Sequence, residues 1–401
     1  MHAPSPPADR QLGARPSLWQ ELKDAVRGTG ADYTSIGLGR AIFLLAVPMI
    51  LELVMESTFA IADIYFVGKL GPSAVATVGL TETFLFLLYS VAMGLAMAVT
   101  AIVARRIGEK NAEEAGRTAV QALYFSLIAS IPFVIAGVYF ARDLLVLMGA
   151  DAWTIEHGVG YTRWMLGGSP IIILIFVLNA VFRGAGDAAI AMRVLFLANG
   201  INIVLDPMLI FGIGPFPKLG IEGAAIATNV GRGVGVLVQI WALRNAGKHM
   251  RVTGDQLGFD GAILWNILRT SLGGIGQMLV GTTSWIFLMR ILADVGTVAV
   301  AGATITLRIL MMSMMPAWGF SNAAATLVGQ NLGANRPGRA AASVWRIGNY
   351  NMVYLVVLSV AFFGLREPLV GLFSDDPHVV SAGAEWMGIL CYSFFVYGWW
   401  M

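Results

Sequence analysis

Apolar residues run along this chain in stretches of twenty or more, separated by short polar breaks. Ten stretches stand out, at 42–66, 74–103, 119–140, 160–182, 189–212, 221–243, 262–289, 297–328, 342–364 and 383–401. An apolar helix of about 20 residues crosses the hydrocarbon core of a bilayer. The pattern therefore predicts about ten transmembrane helices in an all-α polytopic membrane protein. A soluble globule with this pattern would need most of its helices to be apolar all round.

Composition supports the lipid reading. The 401 residues are 57% hydrophobic and 12% charged, against about 25% charged in a soluble domain. Cys391 is the single cysteine, which excludes a disulfide framework and a cysteine metal cluster. The four histidines (His2, His157, His249, His378) fall in tails or loops, so a buried histidine relay is not expected. Residues 1–40 are polar and show no cleavable signal pattern. Arginines and lysines set the orientation. One set of loops carries only Lys69, Arg142, Lys218, Arg290 and Arg366, and Arg163, Arg232, Arg269 and Arg308 sit within spans. The other seventeen of the 26, from Arg10 to Arg346 and including Arg183, lie in the N-terminal segment and the opposite loops. The N-terminus is expected to be cytoplasmic, in a plasma (inner) membrane.

The chain also repeats itself. At a constant offset of 225 residues, Gly71, Ala74, Val75 and Ala76 meet Gly296, Ala299, Val300 and Ala301. In the same register Gly94, Ala98, Val103, Gly108 and Ala115 meet Gly319, Ala323, Val328, Gly333 and Ala340. A six-helix unit re-enters from the side it began on, so the two repeats are parallel, and transporters built this way bind substrate between the halves. The expected organisation is a cytoplasmic segment 1–40, an N-lobe 41–244 with helices 1–6, a cytoplasmic linker 245–258, and a partial C-lobe 259–401 with helices 7–10. In this register the tenth span ends opposite Phe176, so the second repeat is expected to be truncated.

Nineteen of the 24 carboxylates lie in tails, loops or span ends; Glu52, Glu56, Asp63, Glu82 and Asp206 lie within spans. An acid inside a span usually faces the bundle interior and marks an ion or substrate path. At 100° per residue, positions 52, 56 and 63 fall within about 40° of one another on the first helix. Asn202 shares a helix face with Asp206. The directions of the helices place Asp63, Asn202, Asp206 and Thr228 at one depth, in the outer half. Carboxylates so placed can exchange a proton or coordinate Na⁺. Pro207 frees the carbonyl of Ile203, and Pro48 that of Leu44, making each a static kink or a hinge.

Several stretches resemble the multidrug and toxic compound extrusion (MATE) family. They are VPMILELVMESTFAIADIYFVGKLG (47–71), GLAMAVTAIVARRIGEKN (94–111), FRGAGD (182–187), NIVLDPMLIFG with LGIEGAAIAT (202–228), and GFSNAAATLVGQNLGAN (319–335). The resemblance covers residues 32–401 and implies two six-helix lobes that open alternately to either side. It implies export of organic, often cationic, drugs in exchange for H⁺ or Na⁺. It also implies a cation or proton site at Asp63, Asn202, Asp206 and Thr228, with Pro48 at the bend of the first helix. The branch with an acid in the seventh helix is not matched, since Gln277, Gly281 and their neighbours offer no carboxylate.

The run ILMMSMMPAW (309–318) offers Met311, Met312, Met315 and Trp318 either as packing or as a pliable drug-cavity lining. Arg308 is expected to pair with a carbonyl or an acid. GAGD (184–187) reads as a cytoplasmic turn, and no GxxxxGK[ST] motif occurs, which argues against an ATP-driven pump. The expected partners are small-molecule drugs or organic cations and the bilayer, with no nucleic acid, no cofactor beyond the coupling ion, and a monomeric protein that is not an enzyme. A lipid-linked oligosaccharide flippase of the same superfamily, or a truncated non-transporting protein, are the alternatives.

Overall fold

Long apolar runs in this chain become long helices. A computed structural model describes residues 17–245, 250, 252–374 and 376–400. Twelve α-helices run through them: α1 (Leu18–Arg27), α2 (Leu38–Gly68), α3 (Pro72–Gly108), α4 (Ala112–Leu147), α5 (Ala152–Gly167), α6 (Ser169–Ala185), α7 (Ala188–Phe211), α8 (Ile221–Asn245), α9 (Gly261–Val295), α10 (Thr297–Gly333), α11 (Pro337–Gly371) and α12 (Pro377–Trp400). No strand occurs among the described residues. Eight segments among them are long and apolar enough to cross a membrane, α5 and α6 together counting as one. The seventh and tenth expected spans correspond to α9 and α12. The chain is an integral, multi-pass membrane protein.

The helices are longer than a bilayer requires. α3 has 37 residues, or about 55 Å at 1.5 Å per residue, against a core of about 30 Å. Its surplus lies at the end carrying Arg105 and Arg106, which pair with Glu109 at 3.1 and 2.9 Å. The expected span 160–182 is in fact two helices. Pro170 cannot donate to the carbonyl of Leu166, and the chain breaks at Gly168, where the Asn229 amide of α8 lies in the space a Cβ would take. Asn229 Nδ2 donates to Trp164 O at 2.9 Å, beside the bond from Gly168 N to the same carbonyl, and so ties the end of α5 to α8.

Residues 1–16, 246–249, 251, 375 and 401 lie outside the described residues, and with them Arg10, Arg15, Lys248, Arg251, His2 and His249. The N-terminal segment contributes one element that hydropathy does not show. Ser17 and Gln20 form a reciprocal capping box that starts α1. In the second half of the linker, Gln121 Nε2 donates to Gly258 O at 2.7 Å and Tyr124 to Leu257 O at 2.8 Å, which ties it to α4.

The helices α2–α8 form one lobe and α9–α12 the second, joined where α2 packs on α10, α3 on α9, and α3 on α10. The 225-residue register returns in three dimensions. α3 and α10 begin and end 225 positions apart, α4 and α11 begin 225 apart, and so do α5 and α12. The contacts are exchanged as symmetry demands. A Cβ on Gly94 would strike Ile275, and one on its repeat mate Gly319 would strike Ile50, which is the mate of Ile275. A Cβ on Gly108 would strike the carbonyl of Gln330, and one on its mate Gly333 that of Arg105. All these contacts lie in the half nearer the N-terminal side. In the other half Gly79, Gly281 and Gly296 have nothing within 4 Å. The side-chain hydrogen bonds that join the lobes among the described residues also lie on the N-terminal side, so the lobes close there and diverge on the opposite side.

Candidate functional site

Four helices of the first lobe carry the polar interior. α7 presents Asn199, Asn202 and Asp206; α2 presents Glu52, Glu56 and Asp63; α6 presents Arg183; and α8 presents Thr228 and Arg232. Asp206 is 0% exposed, and neither of its carboxylate oxygens meets a hydrogen-bond donor among the described residues. One turn earlier, Asn202 Nδ2 donates to Thr228 Oγ1 at 3.0 Å, which leaves Asn202 Oδ1 buried and without a donor. Asp63 is half-buried on α2, within electrostatic range of both Asp206 and Arg232. The four residues expected to share a depth are therefore linked in two pairs, Asn202 with Thr228 by a hydrogen bond and Asp63 with Asp206 by charge.

These are hard oxygen donors: two carboxylates, an amide oxygen and a hydroxyl. Na⁺ suits such a set, and so does a proton. An ionised carboxylate out of water costs several kcal/mol unless a cation or donors offset it. Pro207 follows Asp206 in an α7 that stays helical to Phe211, and Pro48 is buried in α2.

The other interior acids have partners that spacing did not reveal. Glu52, 3% exposed, accepts from Arg183 Nη1 at 2.7 Å. Arg183, counted above among loop residues, is instead buried near the end of α6. Glu56 accepts from Arg232 Nη2 at 3.0 Å and from Asn199 Nδ2 at 3.0 Å. Arg232 Nη1 reaches the Tyr89 hydroxyl at 3.3 Å, and its guanidinium lies 5.5 Å from the Phe59 ring centroid. Tyr161, fully enclosed, is in electrostatic range of Asp63 and Asp206. Sequence reading passed over Arg183, Asn199, Arg232 and Tyr161; the available signal was a cation inside a span opposite an acid inside a span. Glu82 stands exposed on α3, in electrostatic range of Arg308 across the lobes. Met311 and Met312 are exposed on α10, with Met315 and Trp318 half-buried on the same helix, in the other lobe from the acid cluster.

On the N-terminal side the lobes are tied by hydrogen bonds to carbonyls. Gln330 Nε2 donates to Gly184 O at 3.0 Å, Arg336 Nη1 to Thr34 O at 2.7 Å, and Arg339 Nη2 to Tyr33 O at 3.0 Å and to Ile36 O. The receiving segment is itself anchored: Lys110 Nζ lies 2.6 Å from Asp32 Oδ2. Partial burial raises the Asp32 carboxyl, but the bonds from Lys110 and Thr34 outweigh it and bring it down to about 2. Burial and the Asp187 carboxylate push Tyr33 up to about 12.

A two-lobed helical membrane protein, closed on one side, with buried oxygen donors in its first lobe, has the architecture of a membrane transporter. The chain matches the MatE family model over residues 48–208 and again over 274–400, and it belongs to that family. A FAD transporter of Shewanella oneidensis is 29% identical over 355 residues, covering 88% of this chain and 77% of the relative. A probable multidrug resistance protein NorM of Thermotoga maritima is 27% identical over 340 residues, covering 84% and 72%. Among solved structures, an outward-facing multidrug resistance MATE family transporter of the MOP superfamily matches with a TM-score of 0.85 at 26% identity, covering 92% of this chain and 82% of that one. Members of this family are transporters rather than enzymes.

Proposed function

We propose that this chain is a secondary active exporter of organic, often cationic, small molecules from the cytoplasm across a plasma (inner) membrane, its N-terminus cytoplasmic. Export is driven by antiport with H⁺ or Na⁺, which binds at Asp63, Asn202, Asp206 and Thr228. The observation that carries this reading is Asp206: fully enclosed, with both oxygens lacking a protein donor and the donor-free oxygen of Asn202 one turn away. Such a site gains most from an ion that comes and goes. Closure on the N-terminal side and divergence on the other correspond to the state in which the ion enters from outside.

Drug-sensitive bacteria expressing the chain should gain resistance to an organic cation, and Asp206→Asn should return them to the empty-vector level at equal membrane expression. Unchanged resistance in that variant would sink the proposal. In proteoliposomes an imposed H⁺ or Na⁺ gradient then distinguishes the two ions. A second reading, export of an anionic flavin dinucleotide, rests on the relative named as a FAD transporter and on Arg308, exposed within α10. Assaying FAD efflux beside the organic cation decides between them.

A further inference from the structure

A second pocket lies far from the acid site, at the N-terminal side, where the end of α1, a helix packed mainly on α2, reaches α7 beside α8. It encloses about 310 Å³ and is lined by Arg27, Arg193, Val194, Leu197 and Trp241, with Asp187 among the other walls. Its position follows from local structure. The capping box starts α1, and Gly28, with φ 74°, ends it, leaving Arg27 in the last turn at the pocket. Arg193 is held along α7 by its Nε, which donates to the carbonyl of Ala189 at 3.0 Å. Among the described residues no carboxylate lies within ion-pair distance of either guanidinium. Asp187, the one acid in the lining, is 6% exposed.

The surroundings identify the medium from which a ligand would come. Leu197 on α7 and Leu237 and Trp241 on α8 are exposed, Trp241 to 61%, on helices that cross the membrane. α1 leaves Leu18 and Trp19 exposed, 77% and 80%, with Glu21, Lys23 and Asp24 following in the same two turns. That distribution is what a helix lying in the interface needs. A tryptophan at the end of a span, beside an interfacial helix, marks the headgroup level.

We infer that this pocket binds one anionic phospholipid from the leaflet on the N-terminal side. Its phosphate would sit between Arg27 and Arg193, and an acyl chain would run down the α7–α8 surface past Leu197. Guanidinium groups bind phosphate oxygens in pairs of parallel hydrogen bonds, and basic pockets between transmembrane helices take anionic headgroups. The lipid would brace α1 against α7, the helix that carries Asn202 and Asp206. This inference stands apart from the export proposal, since it concerns a different site and is read without transport.

The test titrates the purified full chain in detergent with phosphatidylglycerol or phosphatidylcholine and reads bound lipid by native mass spectrometry. The first phosphatidylglycerol should bind about tenfold more tightly than phosphatidylcholine, whose choline cation sits beside the same phosphate and is repelled by the two guanidiniums. The double variant Arg27→Gln/Arg193→Gln should lose that preference, and Leu197→Trp, which keeps both charges and fills the pocket, should lose it too. Both sites are exposed, and an unchanged circular dichroism spectrum checks folding. Equal phosphatidylglycerol binding by the double variant and the unmodified chain would overturn the inference. Displacement of the lipid by millimolar inorganic phosphate would overturn it as well, because the site would then belong to the free anion.

Discussion

Glu52 and Glu56 share a helix face with Asp63, yet their chemistry differs because of what stands opposite. Each glutamate has an arginine within 3.0 Å, whereas Asp206 has no donor at all among the described residues. Four acids and two guanidiniums thus leave Asp63 and Asp206 without an arginine in ion-pair contact among the described residues. Removing one partner of a buried ion pair strands the other charge, at a cost of about 3–5 kcal/mol. Glu52→Gln and Arg183→Gln should therefore each lower the Tm of the purified protein markedly, while the double variant recovers part of the loss. If the double variant loses the full sum of both single effects, the pair is not energetically coupled.

At the scale of elements, glycine decides how closely helices cross. Gly94, Gly319, Gly108 and Gly333 entered the sequence reading as marks of a repeat, with small residues in helices that match easily by chance. In the fold they are the contact points between the lobes. Each is small because its helix crosses the mate of the element that its own mate crosses. A methyl group at Gly333 would meet the backbone carbonyl of Arg105, which no side-chain rotation relieves. Gly333→Ala should then destabilise the protein by about 1–3 kcal/mol, as overpacking does. Gly338→Ala, a site with nothing within 4 Å, should leave Tm unchanged. Thermal unfolding of the two variants side by side checks this, and equal Tm values would contradict the crossing geometry.

At the scale of the whole molecule, a few bonds on the N-terminal side tie the two lobes together. Arg336 and Arg339 of the second lobe donate to carbonyls of Tyr33, Thr34 and Ile36, a segment that Lys110 fixes to the first lobe through Asp32. Arg336→Gln/Arg339→Gln removes these charge-assisted donors and should raise the population open to the N-terminal side. Spin labels at Lys69 and Val298, on the diverging side, should report a shorter distance in the double variant. An unchanged distance distribution would show that the helix crossings alone hold the closure.

Hydropathy determined the membrane class and most of the helical spans, and residue identities at a constant offset determined the parallel repeat, because these depend on local periodicity and on register along the chain. Helix spacing alone put Asn202 and Asp206 on one face, and the depth of each span grouped them with Asp63 and Thr228. What it left undetermined was pairing between helices. Arg183 reads as a loop residue until α6 turns it toward Glu52, and the helix break at Gly168 depends on Asn229 from another helix. The amphipathic α1 is too short for a hydropathy window, and its capping box was the readable sign. Which acids keep an arginine and which do not is a matter of distances across helices, and only the tertiary structure decides those.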